Sequence, residues 1–245
     1  MPIVLPTQKV PAKLQDPKRL IIYSKPKKGK TSALAALPNC LLIDTERGSD
    51  YISALKVQVS TIDDIKELCR QLKKANCPYD FIAIDTITML EEVCKPLALR
   101  LFQATPAGAN FNGDILTAPN GAGYGHLRTA VEMVIDQIES CTKNIILSCH
   151  CKDAAIDKSE LTIKQIDLMG KLGRILSAKA DAIGLLDRDE NSNTIVSFDT
   201  SDKYTECGAR PEYLRNKVIV LGEMQPDGTV EYHWDRIYKS LAKDV

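Results

Sequence analysis

Short apolar runs alternate with amphipathic stretches along the first 150 residues. Residues 19–23 (RLIIY), 41–44 (LLID), 81–85 (FIAID) and 144–149 (NIILSC) are almost continuous runs of branched and aromatic side chains with polar residues at their ends. Such runs suit strands buried on both faces, as in a parallel sheet. Between them, residues 31–37 (TSALAAL) read as a helix that Pro38 stops. Residues 61–75 read as an amphipathic helix, with Ile62, Ile65, Leu68 and Leu72 on one face. Asp63, Asp64 and Glu67 come early in it and Lys73 and Lys74 late, which suits the helix dipole, and Thr61 is placed to cap its start. Residues 90–102 and 127–138 also carry helical spacing, the first with a kink expected at Pro96. This alternation predicts an α/β fold, a mostly parallel central sheet with helices on both faces. Farther on, residues 182–186 and 194–198 predict two strands joined by the polar turn 189–193. Residues 218–221 predict another strand and 234–241 a closing helix. The strands of this second half form an antiparallel C-terminal extension.

Three segments lack such periods. Residues 104–125 hold five glycines and two prolines and predict a long loop. Residues 152–171 are polar, lean basic and predict little regular structure. Residues 1–18 are extended in character and rich in proline, which predicts an arm ahead of a single domain over 19–245 that could add to a neighbour's sheet edge.

Composition narrows the classes. The 245 residues carry 32 Lys and Arg against 32 Asp and Glu, so no global basic field points to nucleic acid, and any such contact must come from a local patch. No apolar run is long enough to span a membrane, and the N-terminus lacks the pattern of a secretory signal. The eight cysteines are scattered without a CxxC pair, which predicts free thiols in a reducing cytoplasm. Cys149, His150 and Cys151 invite a metal reading, but an extended segment sends the imidazole to the face opposite the two thiols, so strand-end thiols are the better account.

The candidate chemistry begins at Ser24-Lys25-Pro26-Lys27-Lys28-Gly29-Lys30-Thr31, followed by Ser32. Lying between a strand and a helix, it matches the phosphate-binding P-loop GxxxxGK[ST] except at Ser24, where the pattern has glycine. Gly29 lets the backbone pass close to a polyphosphate, successive N–H groups form an anion cradle, Lys30 reaches the β- and γ-phosphates, and Thr31 offers a hydroxyl to Mg2+. Asp85, closing the apolar strand 81–85, suits the same metal. At the tip of 41–44, Glu46 or Asp44 could orient or deprotonate an attacking water, with Glu46 preferred. The strand 144–149 leads into His150, placed to touch the γ-phosphate.

On these motifs the chain resembles the RecA-type recombinase ATPases, and among them the small single-domain phage recombination ATPases. LLIDTERG is similar to the strand that brings the water-activating glutamate, FIAIDTITML to the metal-binding strand followed by a hydroxyl residue (Thr86), and NIILSCH to the strand that ends in the γ-phosphate sensor. The resemblance implies a RecA-like domain that binds and hydrolyses ATP with Mg2+, stimulated by single-stranded DNA and driving annealing or strand exchange. It also implies catalytic roles for Glu46, Lys30 and His150, and places Arg215 and Lys217 on the ATP of a neighbouring copy in a ring or filament. The DNA-binding loops would be 104–125, with Phe111 and Tyr124 as stacking groups, and 151–170, with Lys152, Lys158 and Lys164. A single-strand-binding protein is a further implied partner. A helicase-loading ATPase or a nucleotide-dependent scaffold would use the same nucleotide site.

Overall fold

Six strands run parallel, and their register brings the polar ends of the apolar runs to one edge. The computed structural model describes residues 5, 7–9, 15–155 and 162–242. The parallel strands are β1 (Arg19–Ser24), β2 (Cys40–Asp44), β3 (Lys56–Gln58), β4 (Phe81–Asp85), β5 (Asn144–Ala155) and β7 (Ala182–Arg188), ordered β7-β1-β5-β4-β2-β3. Every residue of β1, β2 and β4 is buried, as their unbroken hydrophobicity requires. The antiparallel extension consists of β8 (Thr194–Ser197), β10 (Val218–Met224) and β11 (Val230–Tyr232) beyond β7. A two-residue strand β9 (Gly208–Ala209) also pairs with β7.

Alternate strand residues feed two cores. Ile21, Tyr23, Ile43, Ile84 and Leu147 face a layer of α2 (Ile62–Lys74), α3 (Ile87–Gln103), α4 (Ala122–Glu139) and α5 (Leu172–Lys179). Leu20, Ile22, Leu42, Ala83 and Ile146 face α1 (Lys30–Ala35) and the C-terminal segment through Trp234, Ile237 and Tyr238. The expected capping of α2 is present as a reciprocal box. The Asp64 N–H donates to Thr61 Oγ1 at 3.1 Å and the Thr61 N–H to Asp64 Oδ2 at 2.9 Å.

Several expectations are corrected. Residues 151–170 are not an irregular loop: β5 continues to Ala155 and pairs antiparallel with β6 (Thr162–Ile166) as a hairpin, while residues 156–161, Lys158 among them, lie outside the described residues. Residues 104–125 contain two short 3-10 turns and the start of α4 at Ala122. The helix read over 90–102 is present as α3, with Pro96 inside it and its start moved back to Ile87. Residues 234–241 form two 3-10 turns in place of a helix, because the N–H groups of Lys239 and Ser240 donate to Asp16 at 2.9 and 3.0 Å instead of closing helical turns. Of the N-terminal arm, residues 1–4, 6 and 10–14 lie outside the described residues. No helix among the described residues is long and apolar enough to cross a membrane.

Candidate nucleotide site

The tips of β2, β4, β5 and β1 stand side by side, with Asp44 level with Asp85, Asp85 with Ser148, and Ser24 with His150. A buried carboxylate at such a tip needs donors, and Asp85 has two: Thr31 donates to its Oδ2 at 2.6 Å and Ser148 to its Oδ1 at 2.7 Å. Burial pushes its pKa up, against those two donors. A carboxylate and a hydroxyl this close form a hard-oxygen pair of the kind Mg2+ selects, so the metal assigned to Thr31 and Asp85 fits the residues present.

The turn from Ser24 to Thr31 has the shape a phosphate cradle needs. Lys27 and Gly29 take left-handed conformations, with φ of 62° and 96°, and Gly29 opens α1. Lys30 is buried beneath the turn, where its ammonium donates to Ser24 Oγ at 3.1 Å and Ser24 O at 3.5 Å. Ser24 therefore does more than replace a glycine: its hydroxyl holds the lysine in place. Burial lowers the Lys30 pKa, while Asp85 and Glu46 act to raise it. Lys25 and Lys28 swing to the flanks, pairing with Asp153 at 2.9 Å and Asp187 at 2.6 Å. Pro26 and Lys27 are exposed, and Ser32 is half-buried on α1.

Hydrogen bonding sets Asp44 and Glu46 apart. The Asp44 carboxylate accepts the N–H groups of Glu46, Gly48 and Ser49 and the Ser49 hydroxyl, so it is consumed in shaping the turn after β2. Glu46 instead points across the tips. Its Oε1 accepts from Thr86 Oγ1 at 2.6 Å and lies 2.7 Å from His150 Nε2. The His150 bond, opposed by burial and aided by Thr86 and Lys30, holds Glu46 below the usual carboxylate range, so it is ionised at neutral pH. A carboxylate oxygen can only accept, so His150 donates from Nε2 to Glu46, and its other ring nitrogen, Nδ1, takes no part in that bond. Nδ1 is buried without a partner among the described residues, a polar atom left for a ligand.

The structure thus gathers Ser24, Gly29, Lys30, Thr31, Glu46, Asp85 and His150. It adds Ser148, which sequence reasoning missed although a lone hydroxyl inside NIILSC was a visible signal, and Thr45, whose Oγ1 bridges to the backbone of Thr86. Arg215 and Lys217 are not in this cluster. Arg215 donates to Arg210 O at 2.6 Å and faces Glu212, and Lys217 immediately precedes β10, three strands from β1. Lys152 is tied to Leu168 O at 3.0 Å and to Asp167 at 3.3 Å, and Lys164 lies on β6.

A search of curated proteins finds no match to the chain. A family model described as an AAA domain, with the nucleotide binding and hydrolysis general to P-loop ATPases, matches residues 16–209, and the chain belongs to that family.

Proposed function

We propose that the chain is a RecA-like phage-type recombinase that hydrolyses ATP by direct attack of water, binds single-stranded DNA and promotes annealing or strand exchange. The observation that carries the hydrolytic part is Glu46 Oε1, an ionised carboxylate oxygen held by Thr86 and His150 at the mouth of the cluster formed by Lys30, Thr31 and Asp85. Glu46 orients the attacking water and receives its proton at a carboxylate oxygen. Lys30, fixed by Ser24, places positive charge on the terminal phosphates, and the turn amides around Gly29 bind the phosphate chain. His150 senses the γ-phosphate, with Nδ1 open to a ligand. Thr31 and Asp85 would hold Mg2+, which would neutralise phosphate charge.

The continuity of β5 supports the DNA part. The strand that carries His150 runs on into the hairpin bearing Lys152 and Lys164, and the Asp167 N–H returns to His150 O at 2.9 Å. A γ-phosphate contact and a DNA contact would then share one element. Arg215 and Lys217 act on the ATP of a second copy, which makes the assembly a homo-oligomer. A scaffold reading without DNA draws on Lys152, whose ammonium is already engaged by Asp167 and Leu168.

The deciding experiment is the ATPase rate with and without single-stranded DNA, alongside binding to a fluorescent oligonucleotide over a salt series. We expect a faster rate with DNA and binding that weakens as salt rises. An unchanged rate with no oligonucleotide binding overturns the recombinase reading and leaves the scaffold.

A further inference from the structure

All the acids of the cluster lie on one side of β1. Glu46 and Asp85, with the Ser148 hydroxyl beside Asp85, come from the tips of β2, β4 and β5, and Thr31 of the P-loop donates to Asp85 on that side. Metal and terminal phosphate therefore face that side. A phosphate chain threaded through the Ser24–Thr31 turn must leave on the other side, over the tip of β7 and the antiparallel extension.

Two side chains wait there. Arg188 ends β7, and its Nη2 comes 3.7 Å from the position a β-carbon on Gly29 would take; the Tyr232 hydroxyl comes 3.9 Å from the same point. Both positions are built. Tyr232 pairs with Gly222 across β10 and β11, and a β-carbon on Gly222 would stand 2.9 Å from ring carbon Cε1, so β10 omits a side chain where the ring rests. Trp234, two residues on, donates its Nε1–H to Ala33 O at 2.8 Å and so fastens this strand end to α1, the helix that the P-loop opens. Arg188 donates through Nη1 to Ser192 O at 3.0 Å, which leaves the Nη2 edge toward Gly29. Its neighbour Asp187 is occupied by Lys28, and among the described residues no carboxylate pairs with Arg188.

We propose that Arg188 and Tyr232 hold the nucleoside half of a nucleoside 5′-phosphate, on the flank of the P-loop opposite the acids. The inference rests on the nucleotide-binding reading of that turn. An uncompensated guanidinium offers a flat cationic face to a base and donors to ribose oxygens, and a phenol adds an apolar ring with a polar tip. Purines, with the larger π-face, are the favoured class. The pair makes the site prefer a nucleotide over a bare polyphosphate of equal charge.

The test is calorimetric binding of ADP and of inorganic tripolyphosphate, both with Mg2+, to the full chain and its variants. Arg188→Ala should weaken ADP about tenfold while tripolyphosphate changes less than about twofold. Tyr232→Phe, which keeps the ring over Gly222, should weaken ADP by about threefold and spare tripolyphosphate. Equal losses for both ligands would assign the pair to phosphate and overturn the proposal, as would unchanged ADP affinity in both variants. If the wild-type chain binds neither ligand, or if Lys30→Ala binds both as well as wild type, the P-loop reading itself fails, a result separate from failure of the pair.

Discussion

Glu91 offers a quantitative test of the packing between α3 and the segment after the hairpin. It is 3% exposed and accepts the Met169 N–H through its two carboxylate oxygens at 2.9 and 3.2 Å. Burial raises its pKa from the ordinary 4.5 to about 7; the Met169 bond and Lys152 oppose the rise and Asp167 adds to it. A raised carboxylate means that the folded chain binds more protons than the unfolded chain between those two values, so the contribution to stability is full below pH 4.5 and is lost as pH climbs through 7. At about 1.4 kcal/mol per tenfold change in proton affinity, the loss has a ceiling of about 3 kcal/mol. Glu91→Gln keeps an acceptor for Met169 and cannot ionise. The variant should match wild type to within about 1 kcal/mol at pH 5 and exceed it by about 2–3 kcal/mol at pH 8.5. Urea unfolding of both proteins at the two pH values measures this directly. A variant-to-wild-type difference that is the same at pH 5 and pH 8.5 would show that Glu91 ionises normally and refute the reasoning.

Three other outcomes are expected. Glu46→Gln should bind ATP as wild type and turn it over at least about 100-fold more slowly in single-turnover assays; a wild-type rate would remove Glu46 as the base. Arg215→Ala should leave nucleotide affinity of the dilute chain unchanged while flattening the rise of ATPase rate with protein concentration, and an unaltered concentration dependence would end its role on a neighbour's ATP. Gly123→Ala should lower the melting temperature, with a cost of about 1–3 kcal/mol, although alanine ordinarily favours helices, because its β-carbon would fall 1.7 Å from Ile115 O; a higher melting temperature would contradict that contact.

The parts of the molecule legible in the sequence are those where one local pattern has one physical outcome. Runs such as FIAID can only be buried on both faces, and a carboxylate closing such a run must sit at a tip. The strands β1, β2 and β4 and the positions of Lys30, Thr31 and Asp85 follow from this. The helix α5 was less visible because its eight residues offer barely two turns, and β3 and β11 have three residues each, too few to show a period. The hairpin was hidden because the exposed and half-buried residues of TIKQI give no clean apolar alternation. The spacing of Trp234, Ile237, Tyr238 and Leu241 is helical, yet Asp16, distant in sequence, captures the backbone donors a helix would need. The position of Glu46 beyond the strand favoured it over Asp44, but only the turn that spends the Asp44 carboxylate shows which of the two is free. The approach of Arg188 and Tyr232 to Gly29 arises from the extension curling around α1, and no local pattern encodes it.

The hydroxyl of Thr88 explains why the site and the hairpin are mechanically one unit. It accepts the His150 N–H at 3.1 Å and donates to Asp167 O at 3.1 Å, so α3 grips both the strand that leaves the nucleotide site and the chain that returns from the hairpin. One turn farther along the same helix, Glu91 takes the Met169 N–H, a second grip on the returning chain. The helix α3 begins directly after Thr86, whose hydroxyl holds Glu46. A displacement of Glu46 or His150 is therefore opposed by bonds that also fix residues 167–169, and the bonded path from the hairpin to Glu46, the proposed general base, runs through the start of one helix.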